Sequence, residues 1–562
     1  MRSLRPLLEA SFSIFVGIVV GLSIVAVTIV FRVLWEFSSR FLFYGSLWAL
    51  LFGFLALACG LMVVRLVAGG EKGGCGTHRV VESYNFGDGF LGFRDSAGRT
   101  LASVVTIGLG GSAGMEGPSL LLGGGVASSL YKLLGLEIGE ARVYMLAGAA
   151  AGLSAIFRAP LTGILFALEI PFQRDLAKEA FIPATFSSVS AYLVTVMLLG
   201  TEKIFPAMGG DEYVSLQVLL HSFVLGVLAG LVSLFFVWLY EGLGRFRLKG
   251  FRGPLVGGLL LGLTGMAVPG VLGLGYDSIH AVLSGEASSW SVAFILLLLF
   301  AKVFATSVTL NMGGSGGLFV PSLFVGAMLG AAYSRVTLGR ENAVLVMAGM
   351  ASVVAAGNKT LLASIALVAE TTGASSIIPS LVASTVSYYV SGRSSFYRDV
   401  QPVRELEEEK PFFKILSDLG RTRLLYRIRV RDVMTRDVCL ISEEETISNA
   451  INLLKKAPEE PCFVVDSLGN MLGEVVLPDL LALPEDKWDM SLAFVPLKKP
   501  EIISENMSLK ELIEKMVETG KSHFLVMNDE GKISGYVSWI ILLTRLDEVI
   551  KGRGKKDRDL SV

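Results

Sequence analysis

Cysteine and histidine are both scarce, with four of each among 562 residues. Cys59, Cys75, Cys439 and Cys462 make no CxxC pair, and His78, His221, His280 and His523 are scattered, no two of them at helical spacing. The usual zinc-ligand patterns are excluded, and no metal centre is expected. With Cys439 and Cys462 in the more polar C-terminal part, a reducing compartment is the expectation. Net charge is missing too: 49 basic against 50 acidic residues leave −1. That excludes the basic surface that nucleic acid binding requires. Charge of either sign is thin over the first 400 residues, which hold 46 of the 99 charged side chains, while the last 162 hold 53. A water-soluble enzyme does not normally run so far with so few charges. No HExxH or paired-carboxylate constellation supports an enzyme. Bond chemistry therefore has no visible carrier, and no enzyme is expected.

What is plentiful is apolar residues, at 52%, and glycine, at 63 positions. Long apolar runs recur at Phe12–Phe31, Leu47–Val67, Ser188–Leu199, Val218–Leu239, Gly253–Val268 and Ser291–Val308. Several reach the roughly 20 residues that span a bilayer. The first is too rich, and too closely followed by others, to be a cleaved signal peptide. Arg2 and Arg5 precede it, which favours a cytoplasmic N-terminus. The charged C-terminal part is expected on the same side, implying an even number of crossings. The fold class expected is an all-α multi-span membrane domain over residues 1–400 with an inverted internal repeat, followed by an α+β part.

The repeat is legible in the letters. Residues 110–125 read GGSAGMEGPSLLLGGG and residues 313–328 read GGSGGLFVPSLFVGAM. At an offset of 203, Gly110, Gly111, Ser112, Gly114, Pro118, Ser119, Leu120 and Gly123 all find identical partners. Downstream, Ala147–Glu169 matches Ala348–Glu370 at an offset of 201. Two halves follow, roughly 10–200 and 210–400. Paired glycine-interrupted apolar segments point to a transport site at the membrane midplane. The glycines expose backbone N–H groups, and Pro118 and Pro321 suit a first helical turn. Each loop therefore feeds a helix N-terminus with free donors and partial positive charge, which is an anion-binding end. A cation carrier would call for facing carboxylate clusters, and none is visible.

These residues carry a resemblance. Residues 10–400 resemble the CLC family of chloride channels and chloride/proton exchangers. Gly74-Cys75-Gly76-Thr77-His78 stands where that family has GSGIP. Gly114-Met115-Glu116-Gly117-Pro118 stands for G(K/R)EGP, Gly317-Leu318-Phe319-Val320-Pro321 fits GxFxP, and Tyr397 takes the place of a late tyrosine facing the ion. The resemblance implies a homodimer in membrane lipid with one anion pathway per subunit. It implies chloride or a similar anion held by Cys75, Gly76, Gly317, Leu318, Phe319 and Tyr397, and Glu116 as a gate exchanging with protons. A thiol is a weaker donor than the usual serine hydroxyl, so Cys75 leaves the anion preference open, and it is otherwise a small packed residue. The GxFxP loop, altered in the fluoride-specific branch, is intact. Met115 replaces the usual cation before the gate, which weakens the local positive field. His78 is expected to be a tolerated loop residue. Ile170 stands where exchangers carry a second, proton-passing glutamate. Glu169 and its repeat partner Glu370 are expected to be structural, bonded to nearby backbone. Proton-coupled exchange is the expectation, and a passive gated chloride channel is the alternative.

Residues 401–428 read as a linker and 551–562 as a basic tail at the inner membrane surface or without structure. Between them, 429–490 and 491–550 repeat a helix–strand–turn–strand plan, with turns at Asp466–Asn470 and Asn528–Gly531. They resemble a tandem pair of CBS domains on the cytoplasmic side. Such pairs often hold an adenine nucleotide through a ribose-binding carboxylate and a hydroxyl at the phosphates. Each half keeps one element, Asp479 in the first and Ser538 in the second. An asymmetric nucleotide site and a ligand-free dimerisation scaffold both stay open, and no cofactor is required for transport. Rival classes are a divalent-cation carrier with CBS domains, a membrane-embedded enzyme and a nucleotide-sensing membrane receptor.

Overall fold

A computed structural model describes residues 5–403 and 428–545, apart from 43–45, 71–72, 88, 136–140, 203, 206–214, 247, 249, 373–375, 456–460, 468–469, 485–486, 520, 522, 530–531, 540 and 543–544. Most of the expected linker and the whole basic tail lie outside the described residues. The chain divides into two compact units, Met1–Glu407 and Glu408–Val562.

The first unit is built from helices. The first half holds α1 (Arg5–Leu42), α2 (Ser46–Val63), α3 (Gly76–Phe86), α4 (Phe93–Gly108), α5 (Glu116–Leu133), α6 (Ala141–Phe157), α7 (Pro160–Glu169) and α8 (Phe181–Leu199). The second holds α9 (Leu216–Arg245), α10 (Arg252–Ala267), α11 (Tyr276–Ser284), α12 (Val292–Asn311), α13 (Phe319–Leu338), α14 (Ala343–Asn358), α15 (Leu361–Thr372) and α16 (Ile377–Val390). Among the described residues six helices, Pro6–Leu42, Leu47–Ala68, Lys178–Leu199, Leu216–Arg245, Val292–Asn311 and Phe319–Leu338, are long and apolar enough to cross a membrane. Large apolar side chains such as Leu47, Met197, Leu216 and Trp238 lie on the surface, as lipid-facing helices require. The ends are marked by ordinary signals. Ser291 caps α12 by accepting from Phe294 N, Asn342 caps α14 through Leu345 N, and left-handed Gly339 ends α13.

Packing repeats between the halves. α5 lies along α6 as α13 lies along α14, and α1 packs on α8 as α9 packs on α16. Glycine permits the closest of these approaches. A Cβ on Gly123 would stand 2.1 Å from the carbonyl of Gly148, and one on Gly326 would stand 2.2 Å from that of Gly349. The only two non-glycine residues with positive φ among the described residues, Arg158 (51°) and Lys359 (62°), are repeat partners preceding α7 and α15.

The second unit contains two β-α-β-β motifs. β3 (Leu440–Ser442), α17 (Ile447–Leu454), β4 (Cys462–Val465) and β5 (Met471–Val475) form the first. β6 (Ile502–Ser504), α18 (Leu509–Thr519), β7 (His523–Met527) and β8 (Ile533–Ser538) form the second. Both sheets have a parallel then an antiparallel pairing, with a register shift at Val464/Val465 and at Val526/Met527. Asp466 N bonds Asn470 O and Asn528 N bonds Lys532 O, both at 2.9 Å, so the two turns close alike. Thr446 caps α17. Ser508 and Glu511 form a capping interaction at α18 that holds the Glu511 carboxyl below its ordinary range. Cys439 and Cys462 are joined in a disulfide across a Cα separation of 4.7 Å. The sequence reading, which placed both cysteines in a reducing compartment, did not anticipate this link. The alignment of Phe463 N on Cys439 O at 2.8 Å, not a sequence motif, brings the two together.

Candidate functional site

The two glycine-rich loops meet. Gly114 N bonds Gly317 O at 2.9 Å and Gly317 N bonds Gly114 O at 2.8 Å. Gly110 (φ 100°) and Gly313 (φ 115°) turn the chain through the left-handed region before each loop, a conformation that a side chain would strain. Reciprocal bonds fix the pair: Ser112 N to Thr309 Oγ1 at 3.1 Å, and Ser315 N to Thr106 Oγ1 at 3.2 Å. A short parallel pairing of β1 (Gly74–Cys75) with β2 (Ser315–Gly316) draws in the third loop.

Glu116 begins α5 and Phe319 begins α13, and both are fully buried. Glu116 Oε1 accepts from Phe319 N at 2.5 Å, while its Oε2 has no hydrogen-bond partner among the described residues. The carboxylate fills space that glycine leaves open, since a Cβ on Gly114 or Gly317 would fall 1.9 or 2.1 Å from its oxygens. Leu318 caps α13. The Phe319 ring packs on Phe157 and Phe166, with centroids 5.5 and 5.2 Å away. Gly76 opens α3 against Gly117, whose carbonyl a Cβ on Gly76 would approach to 2.6 Å. Cys75 Sγ lies 3.8 Å from the hydroxyl of Tyr397, which donates to Asn358 Oδ1 at 3.2 Å. The expected residues of the membrane part thus converge: Glu116, Gly317, Leu318 and Phe319 at the two helix ends, with Cys75, Gly76 and Tyr397 beside them.

Other expectations divide. Glu169 accepts from Leu362 N and Ala363 N at 2.9 and 2.8 Å, and Glu370 accepts from Leu161 N and Thr162 N at 3.0 and 2.8 Å. Each caps the other's helix, so both have the structural partners expected. Ile170 is completely buried, and its carbonyl accepts from Gln401 Nε2 at 2.9 Å. His78 is helical rather than a loop residue, and its Nε2 lies 3.0 Å from Asp399 Oδ2. This corrects its reading as a loop residue. It lies in the first turn of α3, facing the segment after Tyr397. In the second unit, Asp479 is paired with Lys498 at 2.6 Å, and Ser538 Oγ accepts from Ile541 N at 3.3 Å. Each has its own partner rather than the other.

Two site residues had no place in the reading of the sequence. Asn358, at the end of α14, accepts the hydrogen bond of the Tyr397 hydroxyl. Lys302 is buried in α12, donates to the carbonyls of Val271 and Gly273 at 2.9 Å each, and stands 5.2 Å from the Phe324 ring centre. Lys302 is a lone cation in the apolar run Ser291–Val308. A charge isolated in a membrane segment is the signal that would have singled it out.

The family model for voltage gated chloride channels matches residues 52–392, and that for the CBS domain matches 430–486 and 493–548. An uncharacterized protein of Methanocaldococcus jannaschii is 27% identical over 394 residues, 69% of this chain and 94% of that one. The voltage-gated ClC-type chloride channel ClcB of Citrobacter koseri is 29% identical over 321 residues, 55% of this chain and 75% of its own. Among solved structures, a slow cyanobacterial Cl-/H+ antiporter superposes with a TM-score of 0.61 at 21% identity, covering 74% of this chain and 99% of that one. A eukaryotic CLC transporter gives 0.61 at 18% identity, covering 95% and 98%. These two likenesses concern the fold. With its channel match spanning more than half of the sequence, the chain belongs to the voltage gated chloride channel family and carries a tandem pair of CBS domains behind the membrane domain.

Proposed function

We propose that the membrane domain carries chloride or a similar anion past the facing N-termini of α5 and α13, in exchange for protons, with Glu116 as the gate. One observation carries this reading: Glu116 Oε1 rests on Phe319 N, at a helix end where a halide would otherwise be held. The carboxylate oxygen stands in for the anion. Ionised, Glu116 competes with chloride for the donors. Protonated, it loses the charge that holds it there and leaves the place free. Proton and chloride are thereby coupled through one side chain. Cys75, Gly76, Gly317, Leu318 and Tyr397 are proposed to complete the anion's surroundings. The chain is proposed to act as a homodimer, with its N-terminus and CBS pair in the cytoplasm. The CBS pair is proposed to support dimerisation, with Asp479 and Ser538 the contacts for an adenine nucleotide.

A passive channel is the second reading, and Ile170 favours it. A buried isoleucine in place of a second carboxyl cannot pass a proton inward. The two readings separate in the reversal potential of reconstituted protein under opposed chloride and proton gradients. Exchange displaces it from the chloride equilibrium potential. A value tracking chloride alone selects the channel, and absence of any anion current rejects both.

A further inference from the structure

Thr77 is the second residue of α3 and is 1% exposed, yet its hydroxyl has no hydrogen-bond partner among the described residues. Thr100 and Thr309, buried inside helices, donate to the carbonyl four residues back, Thr100 to Ser96 at 2.8 Å and Thr309 to Ala305 at 2.7 Å. Thr77 lacks that outlet, because α3 begins at Gly76 and the residue four back lies outside the helix. A buried hydroxyl left without a partner is costly unless something outside the chain satisfies it.

Its position says what that something is. Thr77 Oγ1 would stand 3.1 Å from a Cβ on Gly117, the residue after the gate, and that same Cβ would stand 3.2 Å from Gly317 Cα. The hydroxyl therefore lies where the three loops of the site converge. The other side-chain donors there are weak or engaged. Tyr397 has one O–H, and it points to Asn358 Oδ1 at 3.2 Å. The Cys75 thiol is a poor donor and sits against the same phenol oxygen at 3.8 Å.

We infer that Thr77 is an anion ligand and a specificity-determining residue, its hydroxyl supplying the donor that Cys75 does not. This rests on the anion-transport reading. It predicts a preference for small, strongly hydrated anions, which a hydroxyl serves better than a thiol.

The test uses the full-length protein, with chloride binding followed by titration calorimetry in detergent and chloride efflux followed from liposomes. Thr77→Val removes the hydroxyl at constant shape, and it is expected to weaken chloride binding by about tenfold or more, the usual cost of a lost bond to a charged group. Thr77→Ser keeps the hydroxyl and is expected to stay within about threefold of the parent. If Thr77→Val does not fold, Thr77→Ala against Thr77→Ser makes the same comparison. A parent that binds chloride while the hydroxyl-free variant binds it equally well overturns the assignment of Thr77 and leaves anion transport standing. A parent that neither binds nor passes chloride overturns the transport reading and this assignment with it.

Discussion

Glu116 reaches Phe319 N only because Gly114 and Gly317 carry no side chain. A Cβ on Gly317 would lie 2.1 Å from Glu116 Oε1 and 2.9 Å from Gly117 N. Gly317→Ala is therefore expected to expel both the carboxylate and any anion from that place, and to cost about 1–3 kcal/mol of stability through overpacking. Chloride titration should show binding lost, and thermal unfolding should show a lower midpoint. Unchanged binding would mean the anion lies elsewhere. The convergence of Glu116, Gly317 and Phe319 was legible beforehand, because two nearly identical loops announced their own pairing. Lys302 was not, since its partners are carbonyls at 271 and 273, joined to it only by the fold. His78 was misjudged for the same reason: Asp399, its partner, is 321 residues away.

At the scale of elements, α7 and α15 secure one another. Glu169 ends α7 and takes the first N–H groups of α15, while Glu370, within α15, takes those of α7. Carboxylates at helix N-termini satisfy orphan donors and complement the helix dipole. Glu370→Gln keeps the shape but loses the charge, and it is expected to cost about 1 kcal/mol. Thermal unfolding in detergent should register a lower midpoint, and combining it with Glu169→Gln should lower it further. A midpoint unmoved by either would show the caps to be idle. Sequence reading anticipated structural glutamates here, but not that each serves the other's helix. Reciprocity is a property of two helices side by side, and no run of letters within either contains it. The apolar run Gly253–Val268 shows the converse. It became α10, only 16 residues long, and is not among the helices long enough to cross by length and composition.

At the scale of the whole molecule, the two units are stabilised differently. The membrane unit relies on glycine-mediated helix contacts, whereas the CBS unit adds a covalent link. Cys439–Cys462 closes a segment with a sequence separation of 23, which by loop-closure entropy stabilises it by about 3 kcal/mol. Dithiothreitol is expected to lower the unfolding midpoint of that unit, and Cys462→Ser to lower it by a similar amount without adding to the reductant. Equal melting with and without reductant would contradict a stabilising link. The repeat in each unit was readable in the letters because both copies keep the same turns and helix ends. The disulfide was not, because it depends on the parallel pairing of β3 with β4.

Competition between the Glu116 carboxylate and an anion for one helix end is most directly tested by chloride titration across pH, comparing the parent with Glu116→Gln. Binding by the parent should tighten as pH falls and the gate is protonated, while the glutamine variant should bind tightly at every pH. Parent affinity that ignores pH, or that matches the variant throughout, would contradict it.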